Sequence, residues 1–285
     1  MKKGKLGLVL ALLLLLPIMA AAGNSNPWEK KLPFKAATIH YTISGMEKGT
    51  ETLYVREYGR ETARYHNGKT SMMGTVTATD TVSIESPDWV YTFDLITRTG
   101  TKSVNPQKYM FEEYQRLSAA EQKQVLENVK KMSLFPGAES MAAKVEQKAA
   151  KILGYDCDRV QMMGSTVYTL HDAGIPLKTE SNMMGMSMKQ EATSIDEGDV
   201  SAKYFEPPPG IEAVADPQVD ALARSLAQQT MATLKSPDGA KKMQEQPVNP
   251  LLAPDEDGQQ MTPEEKQEME QAMEMMKGMM GGQQK

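Results

Sequence analysis

The chain has 285 residues, with 32 basic and 37 acidic side chains, one cysteine and three histidines. A net charge of -5 excludes a chain built to wrap nucleic acid or to cling to an anionic membrane, since both demand clustered Lys and Arg. One cysteine excludes an intramolecular disulfide, and three histidines leave little for a His-rich metal cage.

The first predicted element is an export signal. Lys2, Lys3 and Lys5 precede an apolar run from Leu6 to Ala22. Ala20 and Ala22 stand at the small-residue positions that a signal peptidase reads, so cleavage is expected before Gly23. A membrane anchor is the rival reading. The run is shorter than the roughly 20 residues a spanning helix needs, and it contains Pro17. Cys157 is far from the cut, so no lipid anchor is expected there. Three lysines leave with the signal, and the net charge falls to -8. The expected location is periplasmic or secreted.

All seventeen Phe, Trp and Tyr residues lie between Trp28 and Phe205. Large aromatics dominate core burial, and Pro207-Pro208-Pro209-Gly210 stops a strand. One domain is therefore expected over 28–212, followed by a Met/Gln/Glu-rich extension over 213–285, helical in pieces or disordered.

Inside the domain the pattern has period two. Ile39, Tyr41 and Ile43 alternate with His40, Thr42 and Ser44. Asn67-Gly68 reads as a type I′ hairpin turn. Trp89, Tyr91, Phe93 and Leu95 fall on one face of the next clear strand. Ser118 and Glu121 form a capping box ahead of Val125, Leu126, Val129 and Met132, and Pro136-Gly137 ends that helix. A shorter helix is expected over 107–117, and 138–150 fits helix or strand. Alternation then resumes over Tyr155–Met162, Thr166–His171, Leu177–Met183 and Met186–Asp196, with turns at Gly164, Gly174 and Gly185. These segments predict roughly eleven strands in an antiparallel meander. In the extension, Asp216-Pro217 starts a helix with an apolar stripe of Val219, Leu222, Leu226 and Leu234. Thr262-Pro263 with Glu265 starts another, carrying Met269, Met273, Met276 and Met280 along one side.

A family resemblance rests on Ile152-Leu153-Gly154-Tyr155-Asp156-Cys157-Asp158-Arg159-Val160, Thr166-Val167-Tyr168-Thr169-Leu170 and Ile175-Pro176-Leu177-Lys178. It continues in Ala202-Lys203-Tyr204-Phe205-Glu206-Pro207-Pro208, with Tyr91-Thr92-Phe93-Asp94 in the first block. With the export signal and the order strands, helices, strands, residues 34–210 resemble the LolA/LolB-like superfamily of periplasmic lipoprotein carriers, or a related, uncharacterised family of secreted bacterial proteins. The resemblance implies a mainly antiparallel β fold with a helical insertion: a curved, open half-barrel covered by helices, whose apolar interior takes acyl chains. It implies a cavity arginine too, for which Arg56, Arg64 and Arg98 are all candidates.

The expected partner is a lipid, an acyl chain or a lipidated envelope protein, with no cofactor. An acyl chain gains about 0.8 kcal/mol per buried methylene, so about sixteen carbons fully enclosed would gain on the order of 10 kcal/mol. Candidate lining residues are Trp89, Tyr91 and Phe93, with Met183, Met186 and Met188 from a facing strand pair. Those residues equally fit an ordinary filled core, which leaves a protein–protein interaction module as an alternative. A third reading is soft-metal binding, because thioethers suit Cu(I). Its residues would be Met269, Met273, Met276 and Met280, which also fit a docking face for a protein partner. No catalytic constellation is expected. His40, His66 and His171 are scattered, a Cys157–His171 pair is weakly suggested, and Asp156 and Asp158 read as solvated carboxylates.

Overall fold

The computed structural model describes residues 26–29, 31–72, 74–131, 144–162, 164–183, 186–215 and 217–245. The chain divides into two compact units, Met1–Pro247 and Val248–Lys285, and every described residue belongs to the first. The export signal and the helix expected from Thr262 lie outside the described residues.

The strands are β1 (Ala37–Gly45), β2 (Glu47–Arg56), β3 (Glu61–Met72), β4 (Thr75–Glu85), β5 (Trp89–Asp94), β6 (Thr99–Val104), β7 (Lys144–Ile152), β8 (Tyr155–Met162), β9 (Ser165–Leu170), β10 (Pro176–Met183), β11 (Met186–Glu197) and β12 (Ala213–Ala215). They form a single sheet in the order β12-β6-β5-β4-β3-β2-β1-β11-β10-β9-β8-β7. Two meanders are thus sewn together where β1 pairs antiparallel with β11. Only β12 runs parallel to its neighbour, β6, within this sheet. The outer strands do not meet, so the sheet is open.

Alternation explains the strands. In β1, Ala37, Ile39, Tyr41 and Ile43 are buried while His40, Thr42 and Ser44 are exposed. Glu51, Leu53 and Val55 are buried in β2. Strong curvature follows from distances. At roughly 4.8 Å per step, β8 in a flat sheet would stand about 19 Å from β1. Yet Phe34, just ahead of β1, meets Tyr155 of β8 edge-on at 6.1 Å between ring centroids, and the Tyr155 hydroxyl bonds to Glu197 of β11. The concave face gathers Ile39, Leu53, Val55, Cys157, Leu170 and Leu177 around Leu32 and Phe34.

The opposite face of β2–β5 is covered by the chain leaving β11. Tyr204 stacks on Tyr54 at 3.8 Å, the Tyr65 hydroxyl donates to the Tyr204 carbonyl at 3.0 Å, and the Arg56 guanidinium lies over the Phe205 ring at 4.4 Å. Ile211 then joins Ala63, Val82, Ile84 and Phe93, and β12 docks beside β6. The proline run is therefore part of a crossover and not the end of the domain. Pro207–Pro209 need no ladder partner there, and Gly210 takes a positive φ of 74°. Packing continues past residue 212 to the last described helix.

The helices are α1 (Pro106–Gln115), α2 (Ala119–Lys131), α3 (Pro217–Leu234) and α4 (Gly239–Glu245). The capping box forms as expected: the Ser118 amide donates to Glu121 Oε2 at 2.9 Å, and the Glu121 amide donates to Ser118 Oγ at 3.4 Å. Val125, Asn128 and Val129 are the buried positions of α2. Asn128 Nδ2 donates to the carbonyls of Leu234 and Ser236, both at 2.7 Å, satisfying the end of α3. The buried face of α3 is Ala223, Ala227, Met231 and Leu234; of the expected stripe of Val219, Leu222, Leu226 and Leu234 it keeps Leu234 and is otherwise rotated. Tyr109 of α1 sets that rotation, because its ring packs on Ala223 and Ala227, where only small side chains allow so close an approach. The insertion buries its apolar side largely against α3 and α4, which gather at the β6 end of the sheet.

Two sequence expectations change further. Asn67-Gly68 is no turn; it lies within β3, opposite Thr50 and Gly49. A Cβ on Gly49 would stand 2.1 Å from the Asn67 carbonyl oxygen, and one on Gly68 would stand 2.3 Å from Glu47 Oε1. Close packing explains both glycines. The actual reversal between β2 and β3 uses Glu57, Tyr58 and Gly59, all at positive φ. Residues 144–150 are strand.

Candidate functional site

The proposed wall residues do not share a wall. Phe93 pairs with Val82, Val82 with Tyr65 and Tyr65 with Thr52, so Trp89, Tyr91 and Phe93 use the face turned to the crossover. Lys102 lies over the Trp89 ring at 3.6 Å, and Phe93 is fully buried among protein side chains. Met188 pairs with Gly45, in phase with Ile39, Tyr41 and Ile43. Met186, two residues away, and the position of Met183, opposite Met186, fall on that same concave face. The sheet separates the two sets because a residue's face is fixed by register, which no single strand pattern reveals.

The concave face carries a buried polar cluster that sequence reading missed. Tyr41, Glu51 and His66 stand directly opposite one another on β1, β2 and β3. The side chain of Glu51 is only 7% exposed. Its Oε1 accepts from Arg64 Nη1 and, at 2.7 Å, from Gln190 Nε2. Its Oε2 is 3.4 Å from His66 Nδ1, while His66 Nε2 is 2.9 Å from Glu47 Oε1. The Tyr41 hydroxyl is buried with no hydrogen-bond partner among the described residues. Of the three arginine candidates, Arg64 is the one on this face. Arg56 covers Phe205 outside it, and Arg98 donates to the Gly210 carbonyl at 3.2 Å. A usable signal existed: Glu51 shares strand phase with Leu53 and Val55, so a polar group had to face inward.

Burial alone would raise the Glu51 carboxyl, but the hydrogen bond to His66, the Arg64 charge and the contact with Arg64 together hold it below the ordinary 4.5. Hydrogen bonding to Glu51 raises His66 above 6.5 against the opposing effect of burial, with Glu47 assisting. Burial pushes the Tyr41 phenol up, with Arg64 opposing. The arrangement fixes an ionised carboxylate and an imidazole shared between two carboxylates. The His66 contribution to stability is complete below pH 6.5 and is lost as pH rises through its raised folded value. The Glu51 contribution is complete above pH 4.5 and is lost as pH falls through its lowered value. The melting temperature is therefore expected to be highest between pH 4.5 and 6.5 and to decline above that window. His66→Gln should flatten the alkaline decline in a thermal-melt series. A decline of unchanged steepness would mean that His66 does not carry it.

Cys157 and His171 do not pair. His171 Nδ1 is 2.7 Å from Asp158 and Nε2 is 3.3 Å from Asp172. Cys157 is buried, and burial pushes its thiol up. Asp158 is buried as well, contrary to the solvated reading. It accepts the Lys148 amide at 2.9 Å, where β7 slips register between Glu146 and Ala150. Asp156 is the exposed carboxylate. Among the described residues no three His, Cys, Asp or Glu side chains converge to hold a metal, and no helix is long and apolar enough to cross a membrane.

The sequence matches no family model and no curated protein. Solved structures similar to this chain include an uncharacterized conserved protein from Thermus thermophilus, 10% identical, with a TM-score of 0.35 over 63% of this chain and 90% of that one. A beta-barrel-like protein of the domain of unknown function DUF1849 from Brucella abortus is 10% identical, with a TM-score of 0.32 over 60% of this chain and 100% of that one. LprF from Mycobacterium bovis is 9% identical, with a TM-score of 0.26 over 61% of this chain and 90% of that one. Likeness at this level transfers no activity.

Proposed function

We propose that the chain is an exported, non-catalytic protein of the bacterial envelope that binds a lipid or a lipidated partner in its half-barrel. The observation that carries this reading is the way the concave interior is closed. Leu32 and Phe34, which stop it, come from the segment ahead of β1 and not from the sheet. Two backbone hydrogen bonds hold that segment to the β2–β3 turn, Leu32 to the Tyr58 carbonyl at 2.8 Å and Tyr58 to the Lys35 carbonyl at 2.9 Å. An acyl chain that displaced Leu32 and Phe34 would meet Ile39, Leu53, Val55 and Leu177. Its anionic head would meet Arg64 farther along the same face, where that side chain is 36% exposed. The basic leader and the small residues before Gly23 support export.

Titration with a dansyl-labelled undecanoic acid tests this. The full chain should take up one equivalent, and in a Phe34→Trp variant the indole emission should shift to the red as the stopper moves into water. No uptake at any concentration below the probe's micelle threshold would end the lipid reading. A second reading would then stand, an envelope interaction module with a filled core. It is favoured by the complete burial of Ala37, Ile39, Val55, Cys157 and Leu177.

A further inference from the structure

A buried hydroxyl without a partner destabilises a fold, because water bonded to it before the chain closed. Tyr41 is 2% exposed, and among the described residues nothing bonds to its oxygen. The neighbours explain why. Its register partners are Ala192 on β11, whose side chain has no polar atom, and Glu51 on β2. Glu51 already accepts from Arg64 and Gln190 on one oxygen and lies against His66 with the other. A phenylalanine would fill nearly the same volume without the loss, so the packing of β1 does not account for the hydroxyl.

The oxygen stands at a boundary. On one side, Tyr41 belongs to the same buried cluster as Ile39, Leu53, Val55 and the stoppers Leu32 and Phe34. On the other, the charges of Arg64 and Glu51 both act on the phenol. Displacing the stoppers opens the cluster that covers it, at the point where the apolar floor gives way to polar groups. A phenol so placed donates to an acceptor at the polar end of an apolar ligand. The ionised Glu51 beside it repels a second carboxylate, so a neutral carbonyl oxygen is the acceptor that suits the place. Arg64, opposite Leu53 on β3 and 36% exposed, remains for an anionic group beyond that carbonyl.

We propose that Tyr41 selects ester-linked acyl lipids with an anionic head, its hydroxyl donating to the ester carbonyl while Arg64 faces the head. This rests on the acyl-binding reading above and adds which acyl compound is taken. A free fatty acid would have to use one carboxylate for both contacts, next to the Glu51 charge. An ether-linked chain offers no carbonyl at all. An ester separates the neutral acceptor from the charged group by a few bonds, as Tyr41 and Arg64 are separated on the sheet.

The test is displacement of the dansyl-labelled undecanoic acid from the full chain by oleoyl lysophosphatidic acid and by its alkyl ether analogue, each below its micelle threshold. The two share chain length and phosphate and differ in the carbonyl. The ester should displace the probe at about tenfold lower concentration, the ratio that about 1.4 kcal/mol gives. In Tyr41→Phe the two should become equal while the probe still binds. Without ligand, that variant should melt higher than the wild type, since it lacks the unpaired hydroxyl. Equal displacement by ester and ether in the wild type, or a preference that persists in Tyr41→Phe, overturns the selection and leaves acyl binding standing. A variant that melts lower means that the hydroxyl already has a partner inside the protein, a buried water included, and overturns it as well. Absence of probe uptake by the wild type ends both readings. If Tyr41→Phe fails to fold, the wild-type comparison of ester with ether still decides.

Discussion

Phe93→Ala is expected to lower the unfolding free energy by about 3–5 kcal/mol, read as an earlier urea midpoint with an unchanged slope. The ring is fully buried among Ala63, Val82, Ile84 and Ile211. Its neighbour on β6 is Gly100, where a Cβ would stand 2.6 Å from the ring. The ring therefore occupies space kept clear for it, and the surrounding ladder has little freedom to collapse into the cavity its loss would leave. The crossover should suffer with it, since Ile211 loses its main support. A cost below about 1 kcal/mol, far under the usual range for a buried phenylalanine, would mean that the ring faces ligand space after all.

Arg64→Leu is expected to cost about 2–3 kcal/mol at neutral pH. Stripping one partner from a buried ion pair ordinarily costs about 3–5 kcal/mol, because the remaining charge is left without compensation. The figure is reduced here because Arg64 is partly exposed, and solvent screens such pairs. Gln190 and His66 also continue to hold the carboxylate. Glu51→Leu in the same chain should recover most of the loss, since two apolar groups then replace the pair. A double-mutant cycle in urea measures that coupling. Independent, additive losses would show that Arg64 does not support Glu51.

Much of this architecture could be read from alternation. Ile39, Tyr41 and Ile43 point inward because a strand has period two, and Ser118 with Glu121 announces the start of α2 because both act within four residues. Asn67-Gly68 misled for an equally local reason. The pair is well suited to a tight turn, yet here it answers the side chain of Glu47 on the neighbouring strand. The polar cluster was half legible, since Glu51 keeps phase with Leu53, but nothing local says that Tyr41, His66, Arg64 and Gln190 arrive beside it.

The sequence by itself determined most of the strands, which residues share a face within each, and where the helical insertion starts. Those properties depend on backbone periodicity and on contacts a few residues apart. Only the tertiary structure decided that Trp89, Tyr91 and Phe93 lie across the sheet from Met183, Met186 and Met188, that the proline run is a crossover, and that α3 belongs to the folded unit. These depend on pairings between residues more than a hundred positions apart, such as β1 with β11 and β6 with β12. A strand's pattern gives its two faces but not its neighbour, because hydrogen bonding along a strand edge is nearly the same for every sequence. Selection among possible neighbours comes from burial summed over the whole sheet.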